Sequence, residues 1–116
     1  MPDSPSLFAR IVSREIAADI VFEDDSVIAF RDIAPQAPIH LLVVPKTQAY
    51  ANVTELAAAD PRLLAHIIEI AATLAAEHSD GDYRLIFNTG ANAGQTVFHA
   101  HAHVLSGTLK EGTLAL

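Results

Sequence analysis

The stretch QTVFHAHAHVL, residues 95–105, constrains this chain more than any other. Three of its six histidines fall there, at alternating positions. In an extended strand, residues two apart line the same face. His99, His101 and His103 are therefore expected on one face, with Cβ atoms about 6.6 Å apart, twice the strand rise. Ala100 and Ala102 point the other way. Alanine is a poor strand former, so two of them predict an element packed closely behind this strand.

The remaining pattern supplies that element. SPSLFARIVSREI has helical spacing at Leu7, Phe8, Ile11, Val12 and Ile16, with Ser4 as expected N-cap and Pro5 as the first helical residue. DIVFEDD and SVIAFRDI read as two strands joined by a turn at EDDS. A third strand runs from Ile39 to Val44 between prolines. Its apolar run Leu41–Val44 suits a central strand covered on both faces. Thr54 caps a first turn or two. Asp60 followed by Pro61 then opens the one long helix, whose stripe is Leu63, Leu64, Ile67, Ile68, Ala71 and Leu74 and whose region Gly81 ends. YRLIFNTG is a fourth strand, ANAGQT a loop and VFHAHAHVL the fifth strand. SGTLKEGTLAL has no clear element. Neighbouring strands joined by short turns predict an α+β class: one domain over 1–116, a five-stranded antiparallel sheet and two helices.

Composition narrows the chemistry. The chain has no cysteine, which excludes disulfides, thiolate nucleophiles and Cys-based zinc sites. A net charge of −7 with scattered Lys and Arg argues against binding along a nucleic-acid backbone. An acidic chain can still hold one phosphate in a local site. No secretory pattern and no bilayer-length apolar run is read, so a cytoplasmic location and no membrane partner are expected. With 51% hydrophobic residues, a chain this short has surplus apolar surface for a pocket, a subunit contact or both.

Three readings compete for the histidines. One is a solvated polar face, although such a face would mix Thr, Ser, Lys and Glu. Another is a catalytic metal site, since three imidazoles with an open position can hold zinc; alternating side chains on one strand converge poorly on a single ion, however. The third is covalent catalysis. Neutral imidazole is a nucleophile near pH 7 if one ring nitrogen faces the substrate and a fixed acceptor holds the other as N–H. NTGANAGQT favours this third reading, because Gly94 can bring backbone N–H groups close to an anion and Asn88, Gln95 and Thr96 add neutral hydrogen-bonding groups.

HAHAHVL also fits the histidine triad pattern, in which histidine alternates with apolar residues, and GQTV precedes it as the pattern requires. LFARIVSREI, IVFEDDSVIAFRDIAPQAPIHLLVVPK and RLIFNTG resemble, in order and spacing, the Hint branch of the histidine triad nucleotide-binding proteins. The resemblance runs from about Leu7 to Leu105. It implies a nucleotidyl hydrolase that attacks the α-phosphorus of a purine nucleotide derivative, releases AMP and an amine from adenosine phosphoramidates and aminoacyl adenylates, and needs no metal or cofactor. By carry-over His101 is the nucleophile and His103 contacts phosphate oxygens. His99 and His40 orient and tune the site, and Thr96 hydrogen-bonds near the phosphate or leaving group. Asp32 takes the ribose hydroxyls. Phe8, Ile11, Ile16, Phe30, Ile33 and Leu42 line an apolar slot for the base, and Asn88, Gly94, Gln95 and Val97 complete the nucleotide side.

The same resemblance implies a homodimer whose sheet continues across a two-fold axis, with the stripe on residues 63–74 as the centre of the contact. Histidine rather than glutamine at position 103 favours hydrolysis over transfer. Two alternatives stay open: a dinucleoside polyphosphate hydrolase of the same superfamily, and a purine-nucleotide-binding module with little catalysis. The tail GTLKEGTLAL departs from the pattern, since it lacks the Trp and Pro residues that close many Hint chains.

Overall fold

The computed structural model describes residues 4–113. Five strands form one antiparallel sheet: β1 (Ile20–Glu23), β2 (Val27–Arg31), β3 (Ile39–Pro45), β4 (Arg84–Ile86) and β5 (Ala102–Ser106). Their order across the sheet is β1-β2-β3-β5-β4. The EDDS turn closes on itself, because the Asp24 carboxylate accepts the N–H groups of Ser26 and Val27. The last three residues of the tail lie outside the described residues.

Among the described residues three α-helices are present where two helices were expected: α1 (Leu7–Val12), α2 (Val53–Ala59) and α3 (Pro61–His78). The extra one is α2. Its N-cap is Asn52 rather than Thr54, and Asp60 serves both as its C-cap and as the N-cap of α3. Asp60 leaves helical geometry (φ −146°, ψ 73°), so two helices form rather than one. Helix α1 is shorter than its pattern suggested. Ser6, not Ser4, caps it by accepting the Ala9 N–H, and Arg14 turns to a positive φ of 68° just beyond its end.

Alternation along the strands gives the sheet two different faces. On one, Val27, Ala29, Leu41, Val43, Ala102 and Val104 pack against Ile67, Ile70, Ala71 and Leu74 of α3 and Leu56 of α2. On the other, Ile28, Phe30, Leu42 and Val44 pack against Phe8 and Ile11 of α1. β3 is thus covered on both faces, and the α3 face is where Ala100 and Ala102 allow close approach. The dimer contact expected on the 63–74 stripe needs correction. Ile67, Ala71 and Leu74 are at most 1% exposed within this single chain and already cover its own sheet. Of that stripe, Ile68 is exposed, and Leu63 and Leu64 are half-buried.

The fifth strand also begins later than the sequence suggested. Ladder pairing to β3 runs from Val43↔Ala102 to Ile39↔Ser106. On that register Pro45 would face Ala100, but proline has no N–H to give the ladder. The Pro45 carbonyl is taken instead by the His99 ring (Nε2 at 2.7 Å), and the Ala100 N–H goes to Tyr50 O. His99, in a bend, and His101 therefore lie ahead of the ladder, and only His103 is in it.

Candidate active site

His40 and His103 belong to adjacent strands of the α1 face. His103 pairs with Leu42 and Ile86 in register, so its strand is hydrogen-bonded on both sides. His40 Nδ1 accepts the Gln36 N–H at 3.0 Å. Its proton must then sit on Nε2, which lies 2.9 Å from His103 Nδ1. That nitrogen accepts in turn, so His103 carries its proton on Nε2. A directed chain results: Gln36 N–H to His40 to His103, ending in an outward N–H donor.

His101 is set the other way round. Its Nδ1 lies 2.8 Å from the His99 carbonyl, which can only accept. The proton is therefore on Nδ1, and Nε2 carries a free lone pair. His101 is 8% exposed, with its ring edge-on to Phe8 (centroids 4.8 Å apart) and to His103 (5.1 Å). Burial, above all, lowers the pKa of His101 and of His40; the Asp32 carboxylate opposes it in both. His103 is pushed down to about 4 by burial and then by His101 and His40. All three are neutral at pH 7, the state in which an imidazole lone pair attacks an electrophile and an imidazole N–H donates to an anion.

His99 does not reach the solvent side. It is fully buried, with Nδ1 2.6 Å from Ser6 Oγ and Nε2 on Pro45 O. Burial lowers its pKa, and so, to a lesser extent, does His101. What it offers the site is its backbone carbonyl. Asp32 is half-buried at the end of β2: Oδ1 accepts the Ala34 N–H (2.8 Å), and Oδ2 lies 3.4 Å from His40 Nε2. Donor atoms of Asp32, His40 and His103 lie within 4.8 Å of one another. A ring proton between the two imidazoles already accounts for their closeness, and a metal ion would have to displace it.

Phe8, Ile11, Phe30 and Leu42 pack together as one buried cluster with Ile16 and Val97 at its margin. Phe8 and Phe30 are 5.7 Å apart. Ile33 departs from the expected slot: it is 96% exposed, in the bend beyond β2, and packs into neither cluster. Thr96 is exposed and, with Val97, Phe98, Ser6, Leu7 and Gln48, borders an open hollow of about 460 Å³. Asn88 is half-buried just after β4.

Two loop expectations are corrected. Gly94 adopts φ +93° to close a 3₁₀ turn, and its N–H is spent on Ala91 O rather than offered to an anion. Gln95 is 3% exposed, and its amide is occupied by Gly90 N–H, Ala51 O and Val97 O. It braces the loop and has no free side-chain group for a phosphate. Sequence reasoning also missed Ser6, the Gln36 N–H, Pro45 O and His99 O, the four partners that set the histidine tautomers. Only Ser6 left a signal, as a cap two residues from the one chosen. Of the other two histidines, His66 is half-buried on α3 with Nε2 2.7 Å from Asp24 Oδ2, and His78 is the last residue of α3.

The chain matches the family model described as the HIT domain over residues 13–109. It is 42% identical over 104 residues to a purine nucleoside phosphoramidase of Escherichia coli, covering 88% of this chain and 87% of that one. An uncharacterized HIT-like protein of Synechococcus elongatus is 49% identical over 104 residues, covering 88% and 90% of the two chains. Among solved structures, a HIT family hydrolase from Clostridium thermocellum superposes with a TM-score of 0.86 at 41% identity, covering 96% of each chain.

Proposed function

Since the chain belongs to the HIT domain family, we propose that it hydrolyses the P–N bond of purine nucleoside phosphoramidates. The observation that carries the reading is the His101 tautomer. Nδ1–H is held by the His99 carbonyl at 2.8 Å, which leaves Nε2 as a lone pair. That nitrogen attacks the α-phosphorus, the P–N bond breaks, and the amine departs with the electron pair and a proton drawn from solvent, which the water of the next step returns. Water then attacks the nucleotidyl-histidine, releases the nucleoside monophosphate and restores the ring. His103 Nε2–H, with Thr96, donates to the phosphate oxygens where charge builds. Asp32 serves the ribose. Phe8, Ile11, Phe30 and Leu42 form the apolar wall for the base, with Asn88 and Val97 at its rim.

The similarity to a phosphoramidase at 42% identity supports this substrate class over dinucleoside polyphosphates. The test is turnover of a fluorogenic adenosine phosphoramidate by the wild type and by His101→Ala, matched for melting temperature. Loss of turnover and of a trappable nucleotidyl adduct is expected in the variant. Equal rates would remove His101 as nucleophile, and tight AMP binding without turnover in the wild type would favour a binding module. We also read the chain as half of a two-fold homodimer joined through the outer edge of β4 rather than through the α3 stripe. Ile86→Lys, at that edge, should shift the elution volume from dimer to monomer. Among the described residues no helix is long and apolar enough to cross a membrane.

A further inference from the structure

His99 is the one triad histidine that the proposed reaction does not use directly, yet both of its ring nitrogens and its carbonyl are committed. Its Nε2 faces the Pro45 carbonyl at 2.7 Å. A carbonyl only accepts, so the ring proton sits on Nε2 and Nδ1 must accept. The atom facing Nδ1 is Ser6 Oγ at 2.6 Å. The same oxygen accepts the Ala9 N–H at 2.9 Å as the N-cap of α1. A hydroxyl has one hydrogen and two lone pairs. With one lone pair used on Ala9, its hydrogen points to His99. The Ser6 backbone is held as well, with its N–H on Gln48 Oε1 at 2.9 Å while Gln48 Nε2 donates to Ser4 O. The hydroxyl therefore has little freedom to turn elsewhere.

From this chain of contacts we propose that Ser6 is a positioning residue. Its hydroxyl fixes the tautomer and orientation of the His99 ring, and thereby the carbonyl that holds the His101 ring. The inference rests on His101 being the nucleophile. One hydroxyl connects α1, whose Phe8 ring lies 4.8 Å from His101, to the carbonyl that sets the reactive nitrogen. A simple helix cap would need only the lone pair toward Ala9. The extra function resides in the proton.

Substitutions at position 6 separate cap from donor. Ser6→Thr keeps both. Ser6→Asp caps a helix as well as serine does, but its carboxylate only accepts and draws a proton onto His99 Nδ1. Ser6→Gly is a second donor-free variant that tolerates the cap position. Nitrogen-15 NMR of the histidine rings should show His99 protonated on Nε2 alone in wild type and Ser6→Thr, and on Nδ1 in Ser6→Asp. On the adenosine phosphoramidate, kcat should fall roughly 10–100-fold in Ser6→Asp and Ser6→Gly, the scale of a reacting group displaced by about 1 Å. KM should stay within about twofold, and Ser6→Thr should restore wild-type kcat.

Wild-type kcat in Ser6→Asp and Ser6→Gly, or an unchanged His99 tautomer in Ser6→Asp, overturns the proposal. So does a kcat that follows melting temperature across all variants including threonine, since a cap alone would do that. If the wild type hydrolyses no phosphoramidate, the functional reading fails separately. The role of Ser6 is then judged from the His101 ring spectrum: it stands if Ser6→Asp displaces the His101 Nδ1–H signal and Ser6→Thr does not, and it falls if neither does.

Discussion

The two faces of the sheet are built from the same strands and do opposite things. β5 sends Ala102 and Val104 into the α3 face and His103 into the α1 face. β3 sends Leu41 and Val43 one way and His40 and Leu42 the other. The α3 face is closed mainly with aliphatic side chains, with Tyr50 at its margin and Ser106 buried at the end of β5. The α1 face carries four imidazoles, all neutral, with named partners that set their tautomers. Burial of Ile67, Ala71 and Leu74 supplies about 1.5–3 kcal/mol for each large side chain, and this lets the opposite face keep polar groups out of water. A period of two thus allows one strand to serve stability and chemistry at once.

The sharpest way to test that division is to break each face separately. His101→Ala should lower kcat by about 10³-fold or more; the ring is buried against Phe8, so turnover is compared at a temperature where the variant is fully folded. Ile67→Ala, on the other face, should cost about 2–5 kcal/mol of stability. Its turnover per folded molecule should match wild type. If Ile67→Ala also changes kcat at temperatures where it is fully folded, the faces are not independent.

Acid distinguishes the faces more gently. The folded pKa values of His40, His99, His101 and His103 lie below the ordinary 6.5, so between those values and 6.5 the unfolded chain binds more protons than the native one. Stability is therefore full above about pH 6.5 and declines as pH falls toward the folded values, about 4 for His103. The acid limb of kcat/KM should lie below 6.5 for the same reason. Thermal melts at pH 7, 5.5 and 4.5 would check this, and replacing His103 with Gln should flatten the dependence. The smallest effect is expected for Gln95→Ala, about 1–3 kcal/mol of stability from the buried partners it leaves unpaired. KM should be nearly unchanged, whereas a direct phosphate contact through this side chain would raise KM with little loss of stability.

Much of this was legible in sequence because periodicity reports which face a residue occupies. The alternation at 99–103 and the two alanines placed the histidines opposite the long helix. The Asp60-Pro61 pair located the start of α3. Periodicity does not report what lies across from that face. The stripe on α3 is read equally well as core or as subunit contact, and only the sheet beneath Ile67, Ala71 and Leu74 decides it. Gln95 and Gly94 looked like anion donors because their types suit one; in the fold Ala91 takes the Gly94 N–H, and Gly90, Ala51 and Val97 take the Gln95 side-chain amide. Ile33 has the chemistry of a pocket wall but sits in a bend that no strand pairing constrains. Tautomers were the least legible: Ser6 and Pro45 are distant in sequence from the His99 ring they hold, and the nearby partners of His40 and His101 are main-chain groups, the Gln36 N–H and the His99 carbonyl, which carry no side-chain signature.

The Gln36–His40–His103 chain has a consequence for how the protein can drift over evolutionary time. Each ring receives at Nδ1 and gives at Nε2, so the row behaves like a one-way wire with its input on a main-chain amide. No side-chain substitution can remove that input except proline at position 36. Conversely, a replacement at position 40 must both receive and give at the same spacing to keep the output pointing outward. The direction of donation at position 103 is thus written into the backbone just ahead of the neighbouring strand, where selection on side chains has almost no purchase.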